Sequence, residues 1–113
     1  MEMDLINELD ALTKKLEVSI RQLRKSGTDY AATERDYKVL LRQEALKLRD
    51  DGMAVTLIDK VIYGIPAVAE ARFKRDVAET IYKANMEAIN SFKLQMRIVN
   101  EQISREWGAN VPD

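Results

Sequence analysis

Apolar side chains recur at helical spacing through the second half of the chain. No glycine or proline occurs between Ala67 and Trp107, and from Tyr82 onward the apolar positions alternate in steps of three and four residues. This heptad spacing predicts one long α-helix over about residues 66–107. A single rod cannot bury such a stripe on itself, so another element must cover it. The stripe consists of Tyr82, Asn85, Ile89, Phe92, Met96, Val99 and Ile103.

The N-terminal half carries a second heptad stripe. A glycine at position 27 allows two interpretations, because one helix could end there and another begin after it. The seven-residue phase nevertheless continues across residues 26–29, and a loop would have no reason to preserve it. We therefore predict one uninterrupted helix over about residues 3–50. The positions that keep this phase are Leu9, Leu16, Leu23, Tyr30 and Tyr37.

The segment between the two stripes has the signals of a short helix with sharp ends. Gly52 follows a charged run and is predicted to end the first helix in a left-handed conformation. Thr56 is predicted to cap a short helix over about residues 57–63. Ile65 precedes Pro66 and should be extended, and Pro66 suits the first position of the second long helix.

These elements predict an all-α fold in a single domain, residues 1–113. The two long helices should pack antiparallel, with the short helix closing one end of the hairpin. The N-terminal leucines should then face the region from Phe92 to Ile103. Glu44 occupies a position on the stripe and is expected to pair with Arg72 or Arg75.

Further apolar side chains lie beside both stripes, which a two-helix seam would not require. We therefore predict a homodimer in which two hairpins form a four-helix bundle, and a larger assembly is the alternative. In that arrangement the stripe residues would form the core and the dimer seam. The flanking positions are Ile6, Ile20, Leu41, Ile81 and Met86.

The amino-acid composition excludes several kinds of functional site. The chain has 113 residues, 18 basic and 19 acidic, with a formal net charge of -1 and neither cysteine nor histidine. Disulfides, thiolate metal sites and the commonest general base are therefore excluded. We expect no cofactor, no metal and no enzymatic activity. The chain contains no run of 18 apolar residues, which a membrane-spanning helix would need. Its acidic N-terminus does not resemble a secretory signal. We therefore expect a cytoplasmic protein.

Two features could serve a macromolecular partner. Residues 56–75 have the rhythm of a helix-turn-helix, and Arg72, Lys74 and Arg75 could contact phosphates. The first turn of the second helix offers alanines and Val68 where base-reading donors would be needed, which favours a hydrophobic plug. Trp107 is expected either to cap the open end of the hairpin against Met3 and Leu5 or to anchor a partner.

The segments 48–56, 71–76 and 103–108 carry a resemblance. They read LRDDGMAVT, ARFKRD and ISREWG, and they resemble small helical proteins from early-region gene clusters of phages and prophages of Gram-positive bacteria. The resemblance implies a role in the host cytoplasm, beside phage recombination or replication or against host defence, including inhibition of host nucleases. It assigns no functional residue.

We therefore expect a non-catalytic, dimeric helical protein that binds another macromolecule, most simply a protein. The alternatives are a DNA-binding protein that uses residues 56–75 and a structural coiled-coil spacer. DNA binding should weaken steeply with salt, whereas binding through an apolar patch should not.

Overall fold

A computed structural model describes residues 2–110 of the chain, and side-chain surroundings for residues 3–108. All regular structure in this range is helical. Helix α1 spans Glu2–Asp50, α2 spans Val55–Val61, a 3-10 turn covers Ile62–Gly64, and α3 spans Pro66–Asn110. The fold class is all-α, as predicted, and the long helices α1 and α3 pack against each other.

Helix α1 continues without a break through residues 26–29. Ser26 is buried, and a Cβ atom added at Gly27 would lie 3.3 Å from Cε2 of Tyr82. The ring of Tyr82 also lies 5.8 Å, between centroids, from that of Tyr30. The glycine therefore gives room for a tyrosine ring on α3 and does not end the helix.

The end of α1 is a complete Schellman motif. Gly52 has a φ of 91°, in the left-handed region, as predicted. Its N–H donates to the carbonyl of Arg49, and the N–H of Met53 donates to the carbonyl of Leu48, each at 3.0 Å. These two bonds satisfy carbonyls that the helix end would otherwise leave without partners.

The prediction that Thr56 caps the short helix is wrong. Ala54 is the N-cap residue, with extended φ and ψ of -64° and 140°, and no side chain caps the helix. The carbonyl of Ala54 accepts the N–H groups of Leu57 and Ile58, so α2 begins at Val55 and Thr56 lies inside it. The short helix also gives way to the 3-10 turn after Val61, earlier than the predicted residue 63.

The start of α3 follows the expected proline geometry. Ile65 is extended, with φ of -64° and ψ of 125°, and Pro66 is the first residue of the helix. The carbonyl of Ile65 accepts the N–H of Ala69 at 2.9 Å. Proline has no N–H to satisfy at this position, which is why it begins the helix without a cost.

The chain folds into two compact units. The terminal unit combines α1 up to Arg24 with α3 from Lys83 onward, and the central unit is Lys25–Tyr82. In the terminal unit, the side-chain amide of Asn85 donates to the carbonyl of Gln22 at 3.3 Å. As predicted, the N-terminal leucines face α3. Their core comprises buried Leu5, Leu12 and Val99, with Leu9, Phe92, Met96 and Ile103 packed around them.

The central unit encloses its core with a third element. Ile58 of α2 and Ile62 of the 3-10 turn join Tyr37 of α1 and Val68 of α3, and Val68 has no exposed surface. The short helix therefore covers the end of the α1–α3 pair, as the sequence indicated. Partly buried side chains around this core are Leu40, Leu41, Ala45, Leu48, Met53, Ile65 and Ala71.

Candidate interaction surfaces

The predicted stripe residues pack within the chain itself. Tyr37, Ile89 and Val99 are buried. The remaining eight are half-buried: Leu9, Leu16, Leu23, Tyr30, Tyr82, Phe92, Met96 and Ile103. These side chains serve mainly as the seam between α1 and α3. A partner molecule would therefore meet mainly the apolar side chains that the seam leaves exposed, together with the accessible parts of half-buried residues such as Leu16 and Met96.

The flanking apolar positions are only partly covered. Ile20 and Leu41 are half-buried, whereas Ile6, Ile81 and Met86 expose 45%, 51% and 41% of their surface. Two packed helices bury one seam and leave its flanks open. The structure thus contains uncovered apolar surface beside the seam, which is the feature from which we predict a dimer.

Arg75 is fully engaged inside the central unit. Its Nη1 lies 3.2 Å from Oε2 of Glu34, and its Nε lies 2.8 Å from Oδ1 of Asp76. Its guanidinium carbon is 4.8 Å from the centroid of the Tyr37 ring. The side chain is only 18% exposed. Hydrogen bonds from Arg75 and then from Lys38 lower the pKa of Glu34, and the hydrogen bond to Asp76 is the largest cause raising the pKa of Arg75.

The expected pairing of Glu44 with Arg72 or Arg75 is wrong. Glu44 accepts from Lys47, three residues along the same helix, at 3.2 Å. The interhelical partner of Arg75 is Glu34, because that residue lies level with it on the antiparallel helix. A heptad pattern shows which face of a helix is inward, but not which residues of two helices meet.

The three predicted phosphate contacts are not equivalent. Arg72 lies over the ring of Tyr63, 5.5 Å from its centroid, and Arg75 is held by the contacts just described. Lys74 is exposed. Val68, at a base-reading position of a helix-turn-helix, is fully buried. The segment 56–75 therefore has the packing of a hydrophobic plug.

An open groove of about 680 Å³ runs along the terminal unit, with Leu16 and Met96 among its apolar lining residues. We call it the basic groove, since its charged lining consists of three bases and one acid. Lys93, Arg97, Glu101 and Arg105 follow one another at steps of four, so they form one row on α3. The complete lining is Leu16, Lys93, Met96, Arg97, Asn100, Glu101, Ser104 and Arg105.

Trp107 lies beside this groove. It follows Ser104 by three residues, so it continues the row of Met96, Asn100 and Ser104 along α3. Trp107 exposes 61% of its surface and Met3 exposes 67%, so neither side chain covers the other. Of the two roles expected for Trp107, this exposure favours the partner anchor over the end cap.

The central unit has an apolar face of its own. Phe73, Val77 and Ile81 stand four residues apart on α3 and expose 62%, 42% and 51% of their surfaces. They border a groove of about 300 Å³. We call this surface the central apolar face. Its other lining residues are Ser26, Asp29, Thr33, Lys74 and Ala78.

Two kinds of arrangement are absent from the residues that the structure describes. Within the residues that it describes, no group of three or more His, Cys, Asp or Glu side chains is arranged to hold a metal ion. None of the helices in residues 2–110 combines the length and apolar character that crossing a membrane requires.

Comparisons of the chain with models of protein families, with curated proteins and with solved structures found no match.

The basic groove is the feature that reasoning from the sequence missed. Bases that stand close together in the chain, such as Arg72, Lys74 and Arg75, are apparent from the sequence. Lys93, Arg97 and Arg105 are instead spaced four and eight residues apart, and they become neighbours only on a helix. The basic groove could have been found from the four-residue spacing of these bases beside the heptad stripe, followed by Trp107 near the end of the helix.

Proposed function

We propose that the chain is a non-catalytic helical interaction protein that binds another protein through the basic groove of its terminal unit. The observation that carries this proposal is the exposed Trp107 beside three bases and an apolar floor. Tryptophan and arginine are the residue types most often found at the energetic centres of protein interfaces. The proposed setting is the cytoplasm, which would be that of the host cell if the chain is phage-encoded.

The chemistry of the groove specifies the partner. Leu16 and Met96 would receive apolar side chains, and the row of bases would face carboxylates. Among the described residues, none forms an ion pair with Lys93, Arg97 or Arg105, so these charges are available to a partner. An amphipathic helix with one acidic edge supplies both features, and helix-in-groove binding is a common mode of recognition.

The resemblance to phage early-region proteins suggests where such a partner would be found. It implies a component of recombination or replication, or of a host defence or nuclease system. This origin is part of the proposal and rests on the resemblance alone. The groove contributes the chemical class of the partner, an acidic amphipathic segment.

A binding titration with two probes tests the proposal. The first probe is a fluorescein-labelled amphipathic peptide of about 18 residues, five helical turns, with leucine on one face and glutamate on its edge. The second is labelled single- and double-stranded DNA over a salt series. Trp107 is the only tryptophan, so its own emission also reports on binding. We expect peptide binding that shifts this emission to shorter wavelength.

Variants locate the site. Charge reversal of Lys93, Arg97 and Arg105 to Glu should abolish peptide binding, and so should Trp107→Ala, without lowering the melting temperature. A matched reversal of three exposed bases on α1, at positions 15, 21 and 25, should leave binding intact. Steeply salt-dependent DNA binding without peptide binding would assign the groove to nucleic acid instead. Binding of neither probe would refute the proposed function.

A further inference from the structure

We infer that a second copy of this chain covers the central apolar face, with a two-fold axis passing beside Val77. This interface lies in the central unit and uses no residue of the basic groove, so it stands apart from the proposed function. That the partner is a second copy follows from the symmetry of the central apolar face, which is present both in its apolar residues and in its charges.

The apolar residues are symmetric about Val77. Phe73 lies four residues before it and Ile81 four residues after it. If α3 of a second copy crosses this face antiparallel, Val77 meets its own counterpart, and each Phe73 meets an Ile81. A two-fold interface requires this reciprocity, in which residue i contacts j and j contacts i.

The charges obey the same symmetry. Two contacts give the same offset between α1 and α3, namely the ion pair between Glu34 and Arg75 and the approach of Tyr82 to Gly27. Because the helices are antiparallel, Asp29, five residues before Glu34, stands level with Thr80, five residues after Arg75. The two-fold axis beside Val77 carries Lys74 of the second copy to that same level. Lys74 of each copy therefore approaches Asp29 of the other.

Both charges are available for this contact. Asp29 and Lys74 line the same groove. Neither side chain forms an ion pair with another residue in the part of the chain that the structure describes. An unrelated partner would not require these charges to be placed symmetrically about Val77. A second copy requires it. Charge complementarity thus points to self-association.

A cysteine beside the axis gives the sharpest test, because the chain has no native cysteine. Helices packed about 8–10 Å apart, each with Cα atoms about 2.3 Å from its axis, place facing Cα atoms about 3.4–5.4 Å apart, and the upper part of this range matches the Cα separation of disulfides. That separation permits a disulfide. Val77→Cys should therefore form a covalent dimer on mild oxidation. Val39→Cys is the matched control, because Val39 is 50% exposed and lines a different groove.

Charge exchange tests the ion pair in the protein without cysteine. Sedimentation equilibrium should show a dimer that Asp29→Lys or Lys74→Glu weakens about 3- to 30-fold, given two exposed pairs per dimer. The double variant should recover most of the loss, because the pair is restored with its signs exchanged. A protein that is monomeric at all concentrations would overturn the inference. A dimer that Val77→Glu leaves intact, or that cross-links equally through Val39→Cys, would place the interface elsewhere and also overturn it.

Discussion

The two units use the same pair of long helices, yet they bury their apolar side chains to different depths. In the terminal unit, where α1 and α3 alone supply the core, the least exposed of its apolar residues are Leu12 and Val99, at 5% each. In the central unit, where Ile58 and Ile62 come from added elements, Val68 reaches 0%. A pair of heptad helices shields its seam from two sides, and a third element is needed to complete the enclosure.

Both units also leave large apolar side chains exposed. Leu94 and Ile98 of the terminal unit expose 52% and 51% of their surfaces, much as Phe73 and Ile81 do in the central unit. The third element of the central unit covers the end of the helix pair, not its sides. Each unit therefore keeps exposed apolar side chains. In the central unit they border the groove that Asp29 and Lys74 line, whereas Leu94 and Ile98 are not among the lining residues of the basic groove.

The largest effect should come from removing the third element's contribution to the central core. We expect Ile58→Ala to lower the free energy of unfolding by about 3 kcal/mol, through lost burial and a residual cavity. Leu57→Ala is the matched control, because Leu57 is adjacent in α2 and 47% exposed, and it should cost less than about 1 kcal/mol. Urea denaturation measures both. Equal losses would contradict the assignment of Ile58 to the core.

The terminal unit should tolerate a comparable truncation better. We expect Leu12→Ala to cost about 2 kcal/mol, the lower end for a buried leucine, because a two-helix core can collapse into the space. The control is Leu94→Ala, which removes an exposed leucine of the same unit. Hydrogen exchange should show that Leu12→Ala lowers amide protection mainly in the terminal unit. Equal loss of protection in the central unit would show that the two units unfold together.

The Schellman turn should contribute less than either core. Gly52→Ala places a Cβ atom on a residue with φ of 91°, which should cost about 1–2 kcal/mol. Steric crowding is not the cause, since no atom lies within 4 Å of the added Cβ. Gly64→Ala meets equally open space without a positive φ and should change stability by less than about 0.5 kcal/mol. Thermal unfolding followed by circular dichroism distinguishes them, and matching melting temperatures would argue against backbone strain.

The smallest effect concerns the ion pair of the central unit. Because Arg75 and Lys38 lower the pKa of Glu34 from its ordinary 4.5, the unfolded chain binds this proton more readily. The pair therefore stabilises the fold above pH 4.5, and this contribution is lost as the pH falls through the lowered pKa.

Glu34→Gln should accordingly lower the urea midpoint at pH 7, with the difference from the parent protein shrinking as the solution is acidified. Glu87→Gln, which replaces an exposed acid of the terminal unit, is the control. A difference for Glu34→Gln that grows on acidification would have the wrong sign for this linkage.

Much of the backbone could be predicted because its signals are local. The phase of the heptads carried α1 through Gly27, the left-handed preference of glycine ended it at Gly52, and Pro66 began α3. The start of α2 was not predicted, because the helix begins after Ala54, a residue with no capping side chain, and Thr56 lies inside it. The residues of the seam between α1 and α3 could also be predicted, since they repeat with the period of the helix.

The candidate surfaces needed the tertiary structure. Periodicity identifies the inward face of each helix, but the level at which two helices meet depends on the geometry of their connection and on packing over the whole pair. That level joined Arg75 to Glu34 and set Lys74 and Asp29 on one groove. It also decided which flanking side chains stayed exposed. The amino-acid sequence by itself determined the helices, the ends of the long helices and their inward faces, because these depend on neighbours within a few turns. Only the packed structure determined which charges and apolar side chains remain available to a partner.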